Sequence, residues 1–114
     1  MIRILKYDVP GTCKGKIRQV LNVKLQYGKP KVWVMMDDTL EEERTLEFFT
    51  VGTGWALKGQ DEEIMRQALY VGTVKDEEGY IWHVFCLPVK DDENKEEVFE
   101  EVAAEPVSED EASK

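Results

Sequence analysis

Apolar and polar residues alternate along most of this chain up to Pro88, and a period of two predicts strands. The cleanest case is Val20 to Tyr27, where Leu21, Val23, Leu25 and Tyr27 share one side and Asn22, Lys24 and Gln26 the other. That is a strand with one buried face. Arg3 to Tyr7 reads as a short first strand, with Ile2, Ile4 and Lys6 opposite Arg3, Leu5 and Tyr7. Val9-Pro10-Gly11 turns the chain, because proline fixes φ and glycine relaxes it. Lys14, Lys16 and Arg18 then alternate through Thr12 to Arg18, an edge strand or a loop whose charges discourage sheet-to-sheet association or else form an anion-contacting strip. Lys31 to Met36 breaks the pattern, since Val-Trp-Val-Met-Met is apolar on both faces. Such a strand is central in its sheet, or covered by a second layer or another subunit. After the acidic loop Asp37 to Glu43, Arg44 to Thr50 alternates again, Leu46 and Phe48 against Glu47 and Phe49.

The pattern changes at Gln60 to Gln67, which predicts a short helix. Asp61, Glu62 and Glu63 would sit near its positive end and Arg66 near the other, with Ile64, Met65 and Ala68 as apolar contacts. Two β-rich runs follow, Leu69–Lys75 and Tyr80–Leu87, joined by Asp76-Glu77-Glu78-Gly79. A polar connector ending in glycine between two such runs predicts a hairpin. Pro88 is expected to end the last strand. The chain is therefore expected to be mainly β: a small antiparallel sheet of about five or six strands with one short helix over residues 1–89, then an acidic tail over residues 90–114.

Charge sharpens that boundary. The formal net charge is −9, but residues 90–114 hold eleven acids against three lysines, while Met1 to Val89 holds thirteen acids and twelve bases. An acidic appendage on a near-neutral body repels phosphate and argues against nucleic acid as a partner. Within the tail, Val98 and Val102 have helical spacing with Phe99 beside them, so Glu96 to Ala104 is a short helix or the tail is disordered. At 114 residues the chain is one domain. No apolar run approaches the roughly 20 residues of a membrane span, and Met1 to Tyr7 is too short and too charged for a secretory signal. A cytoplasmic location is expected. Cys13 and Cys86 fit a reducing compartment better than a disulfide framework.

Few residues suggest chemistry. His83 is the single histidine, flanked by Trp82 and Val84, and Cys13 and Cys86 give it no zinc spacing. Cys86 is three residues away, hence on the opposite face of a strand, which disfavours a Cys–His pair. His83 is then a sheet histidine with a satisfied hydrogen bond, or a ligand contact. No catalytic residue, metal or cofactor is expected. Gly52-Thr53-Gly54 follows a strand, as phosphate loops do, but lacks both the Walker ending and the dinucleotide spacing. It is a sharp corner, or else a cradle in which backbone N–H groups and Trp55 hold a nucleotide's phosphate and base. The acids Asp37, Asp38, Glu41, Glu42 and Glu43 suggest a carboxylate pair or a divalent cation site, but they do not match the EF-hand pattern and read by default as a solvated loop. Three tryptophans (33, 55 and 82) and apolar residues on both faces of two strands predict a homo-oligomer. Val51-Gly52-Thr53 recurs as Val71-Gly72-Thr73, too short to establish a repeat.

Lys6-Tyr7-x-x-Pro10, Gly28-x-Pro30-x-x-Trp33, Gly52-Thr53-Gly54, Tyr70-x-Gly72-Thr73 and Trp82-His83-Val84-Phe85 occur in this order. Over residues 1–87 the chain thereby resembles a family of short, mainly phage-encoded proteins known as a domain of unknown function. Members often read Tyr-Gly-Thr-Gly-His where this chain has Val51-Gly52-Thr53-Gly54-Trp55, so a reaction served by that histidine would be lost here, whereas stacking would survive. The phage setting implies, by analogy, a non-enzymatic small binding protein, a sponge that sequesters a nucleotide-derived immune signal in the host cytoplasm. The candidate ligand contacts are Gly52, Thr53, Gly54, Trp55, Arg44, Lys58, Trp33, Trp82 and His83. The alternative is an interaction module that meets a host or virion protein through the tryptophans and the tail.

Overall fold

A computed structural model describes residues 1–89. The helix-or-disorder expectation for Glu96 to Ala104 lies outside the described residues. Seven strands and one helix follow in the order β1 (Ile2–Asp8), β2 (Gly11–Gly15), β3 (Ile17–Gln26), β4 (Lys29–Asp37), β5 (Arg44–Gly52), α1 (Gln60–Gln67), β6 (Leu69–Lys75) and β7 (Ile81–Val89). They form two antiparallel sheets, one of three strands ordered β1-β4-β3 and one of four ordered β2-β5-β7-β6. The mainly antiparallel β class with one helix is as expected. The count of five or six strands is corrected to seven, and the second layer over the apolar strand is the other sheet of the same chain.

The extra strand comes from the segment read as edge strand or loop. β1 and β2 are one run of chain broken at the cis Val9–Pro10 bond, after which the chain changes sheets. Gly11 sits where a side chain would meet the Asp8 carbonyl oxygen at 2.8 Å, so the corner requires glycine. β2 is an edge strand, and its Cys13 points inward while Thr12 and Lys14 stay exposed. Alternation places Val32, Val34 and Met36 of β4, Leu46 and Phe48 of β5, and Val84 and Cys86 of β7 between the sheets. Leu5, Tyr7, Val20, Leu25, Val71 and Trp82 pack around this core.

Three departures from simple alternation have local causes. β3 carries irregularities between Ile17 and Gln19 and between Val20 and Asn22, so Val20 turns toward the core and Leu21 is exposed. One bulge residue exchanges the faces of its neighbours. The β3–β4 turn places Tyr27 (φ 54) and Gly28 (φ 79) in the left-handed region, which matches the twist of the two strands and leaves Tyr27 wholly outside. β7 runs through Pro88 to Val89, beyond the expected end. β6 reaches only as far as Cys86, so Pro88 needs no N–H on that side of the ladder.

The helix covers part of the outer face of the four-stranded sheet. Ile64 packs with Phe49 and Leu87, and Met65 and Ala68 lie beside Val51 and Phe85. Arg66 pairs with Glu62 at 2.7 Å and with Glu63. The outer face of the three-stranded sheet is open, with Ile2 and Ile4 more than half exposed. No helix among the described residues is long and apolar enough to cross a membrane.

Candidate functional site

β7 lies between β5 and β6, and His83 on its outer face has Val51 of β5 and Thr73 of β6 as register partners. Thr53, one residue past β5, brings Oγ1 to 2.7 Å from His83 Nε2. Thr73 brings its own Oγ1 to 3.1 Å from Nδ1. The Tyr70 hydroxyl lies 2.5 Å from Thr73 Oγ1 and extends the row. A neutral imidazole donates from one nitrogen and accepts at the other, and the threonine hydroxyls can rotate to serve either tautomer. The ring is therefore held at both ends. Tyr70 meets Phe85 edge to face, with 5.7 Å between ring centroids, and remains 61% exposed. Together they form a row of hydrogen-bonding groups ending in an exposed aromatic ring, beside the helix.

The recurring tripeptide builds this row. Val51-Gly52-Thr53 and Val71-Gly72-Thr73 flank β7 from its two sides, and each threonine reaches the same histidine. Each glycine serves the opposite face. A Cβ on Gly52 would stand 2.5 Å from Trp55 Nε1, and one on Gly72 would stand 2.6 Å from Val23 Cγ1. Thr73 and Tyr70 were not among the candidate residues. The signal for Thr73 was the repeated tripeptide, which carries meaning only once the strand order is known, and that for Tyr70 was its place in Tyr70-x-Gly72-Thr73.

Trp55 and Trp82 form a second group. Their rings meet edge to face at 5.5 Å. Trp82 Nε1 donates to Asp76 Oδ2 at 2.9 Å, and Asp76 Oδ1 accepts from the N–H groups of Glu78 and Tyr80. These donors, the indole first, hold the Asp76 carboxyl below its ordinary range. Trp55 lies over Gly52, and its indole N–H is buried without a hydrogen-bond partner among the described residues. The loop between them is largely self-satisfied: Thr53 N–H donates to Ile81 O and Trp55 N–H to Gly52 O, while Gly54 (φ 89) makes the corner.

The remaining candidates lie elsewhere. Trp33 is on the outer face of the three-stranded sheet, half buried opposite Lys6 and Asn22. Arg44 starts β5, eight residues and roughly 26 Å of strand before Gly52, and donates to the Ile17 carbonyl at 3.1 Å. Lys58 is exposed in the loop before α1. The fold thus brings Thr53 and His83 together, joins Trp55 to Trp82 across Gly52, and places Trp33 and Arg44 apart from both. Among the described residues no group of three or more His, Cys, Asp or Glu is arranged to hold a metal. Cys13 and Cys86 are free and buried. They flank β5 from opposite sides, opposite Leu46 and Phe48, about 12 Å apart by strand spacing and the two-residue offset, which is beyond disulfide reach.

Two of the clefts lined by described residues are small beside the 300–1,000 Å³ typical of small-molecule pockets. One of about 160 Å³ lies between Pro10, Leu25, Pro30, Thr50, Asp76 and Trp82. Another of about 230 Å³ lies between β1 and β2. Neither includes His83. One further carboxylate stands out: Glu47, on the outer face between Thr12 and Leu87, is 8% exposed, and burial alone pushes its carboxyl up to about 7.

No curated protein and no solved structure matches this chain. A family profile matches residues 1–95, which take in both sheets, the helix and the His83 row, and its description is a domain of unknown function, DUF7352. The chain belongs to that family.

Proposed function

We propose that this protein is a non-catalytic binding module that holds a nucleotide-derived small molecule on the open sheet face formed by Tyr70, Thr73, His83 and Thr53. The observation that carries this reading is the His83 ring fixed between two threonine hydroxyls, with the exposed Tyr70 ring at the end of the row. An aromatic face suits a base, and oriented hydroxyl and imidazole groups suit its edge or sugar. Lys75 shares this strand face with Thr73, pairs with Ile81 and supplies a cation for a phosphate. The preference for binding over group transfer rests on the partner of Nδ1. Thr53 and His83 stand as a nucleophile and a base would, but a neutral threonine faces Nδ1 where a carboxylate would stabilise an imidazolium. In the phage setting implied by the resemblance, such a module acts by sequestration, as an anti-defence sponge in the host cytoplasm.

A thermal-shift screen against cyclic and linear nucleotides, ADP-ribose derivatives and dinucleotides tests this. A ligand at 100 times its dissociation constant adds about 2.7 kcal/mol, which raises the melting temperature by several degrees. Tyr70→Ala and His83→Ala should each remove the shift, and denaturation should return the ligand intact. Absence of a shift with every class sinks the reading, and recovery of a cleaved product makes the protein a hydrolase.

One observation favours a second reading, a protein-interaction module. Ile2 and Ile4 are exposed beside half-buried Trp33 and Met35, an apolar strip that suits a second copy or a host or virion protein. In that case Ile4→Glu abolishes association, and nucleotides leave the melting temperature unchanged.

A further inference from the structure

β1 and β2 diverge from the Pro10 corner into different sheets, and each is paired on one side only, β1 with β4 and β2 with β5. The two free edges face each other across the 230 Å³ groove. On the other side of the molecule β3 and β6 close the sandwich, the Val23 side chain packing against the backbone at Gly72. The β1–β2 side is the open seam. Leu5, Tyr7 and Met36 give it an apolar floor, and Arg3, Lys14 and Lys16 stand on its walls.

The charges there do not cancel. Asp37 accepts from Arg18 and from Thr39, and Asp38 takes the terminal amine of Met1 at 2.5 Å. Arg3, Lys14 and Lys16 have no ion-pair partner among the described residues, and Glu43 is the remaining acid in the lining. Two free strand edges, an apolar floor and three cations against the single acid Glu43 suit one class of ligand, an extended acidic peptide with an occasional apolar side chain. Main-chain pairing to an exposed edge would supply affinity, and charge would supply selectivity.

Such a peptide is tethered next to the groove. Val89 ends β7 in register with Thr45, and Thr45 is in register with Lys14. Two strand spacings, about 10 Å, therefore separate the exit of the chain from the groove wall. The twenty-five residues that follow hold eleven acids, with Val98, Phe99 and Val102 among them. We propose that residues 90–114 of the same molecule occupy the β1–β2 seam.

Zero-length carbodiimide cross-linking of the full chain tests the assignment. The expected products join Lys14 or Lys16 to glutamates or aspartates beyond Val89, within one molecule. They should fall at least fivefold in 1 M NaCl, where the screening length is about 3 Å, and in Arg3→Glu, which keeps both reactive lysines. Amide exchange in Arg3–Tyr7 should accelerate about tenfold in Arg3→Glu, while the Val84 amide, in the core, keeps its rate. Links confined to acids within residues 1–89 overturn the proposal. So do links between isotopically distinct copies, which would make the occupant a second molecule, and unchanged exchange in Arg3–Tyr7.

Discussion

Gly72 and Val23 mark the point where the two sheets touch without a hydrogen-bond ladder: a Cβ on Gly72 would lie 2.6 Å from Val23 Cγ1. Val23 is buried and branched at Cβ, so it has little freedom to withdraw. Gly72→Ala is expected to destabilise the fold by about 1–3 kcal/mol, the usual range for overpacking. Chemical denaturation should register the loss, and Val23→Ala in the same chain should recover part of it, because the two positions share one contact.

The two paired tryptophans should answer differently to the same substitution. Trp82→Phe removes the indole donor to Asp76 and leaves a carboxylate short of a partner, and hydrogen bonds to charged groups are the stronger kind. Trp55→Phe removes a buried N–H that has no hydrogen-bond partner, so its loss of ring volume is offset by relief from that donor. The melting temperature should fall clearly further in Trp82→Phe. Equal losses would mean that the Asp76 bond contributes little.

Glu47 sets a pH dependence of unusual sign for a carboxylate. Its folded value of about 7 lies above the ordinary value of 4.5, so between these limits the native state keeps a proton that the unfolded chain has released. Stability contributed by this group is complete below 4.5 and is lost as pH rises through 7. The full difference is of order 3 kcal/mol. Glu47→Gln should stabilise the protein at pH 8 and flatten the slope between pH 5 and 7, as read from urea midpoints.

Asp37 acts in the opposite sense. The Thr39 hydroxyl, the Thr39 N–H and Arg18, in that order, hold its carboxyl down to about 2 from 3.8. Its contribution is present above 3.8 and disappears as pH falls toward 2. Asp37→Asn should flatten the acid limb of the stability curve and leave the limb above pH 5 unchanged.

The regular elements were legible because period-two and helical patterning are local signals. The spans of α1 and β6 and the two faces of β5 follow from residue spacing alone, whereas β7 begins one residue later and ends two residues later than its spacing and Pro88 implied. β2 was ambiguous because its five residues offer a single inward apolar side chain, Cys13, between two glycines. The faces of β3 were misassigned at Leu21 because a bulge exchanges the two sides without marking the sequence. His83 stood out as a lone histidine in an aromatic strand. Its partners did not, since Thr53 and Thr73 meet it only because β7 lies between β5 and β6, and strand order is a long-range property.

The two buried thiols give the molecule a pair of internal reporters of opening. Cys13 sits on an edge strand beside the open seam, and Cys86 sits on a strand paired on both sides at that position. A thiol reagent that reacts only with exposed sulfur should therefore label Cys13 through local fraying of one strand. Labelling of Cys86 requires the whole four-stranded sheet to come apart. The ratio of the two labelling rates measures how independently the edge of this protein breathes from its centre.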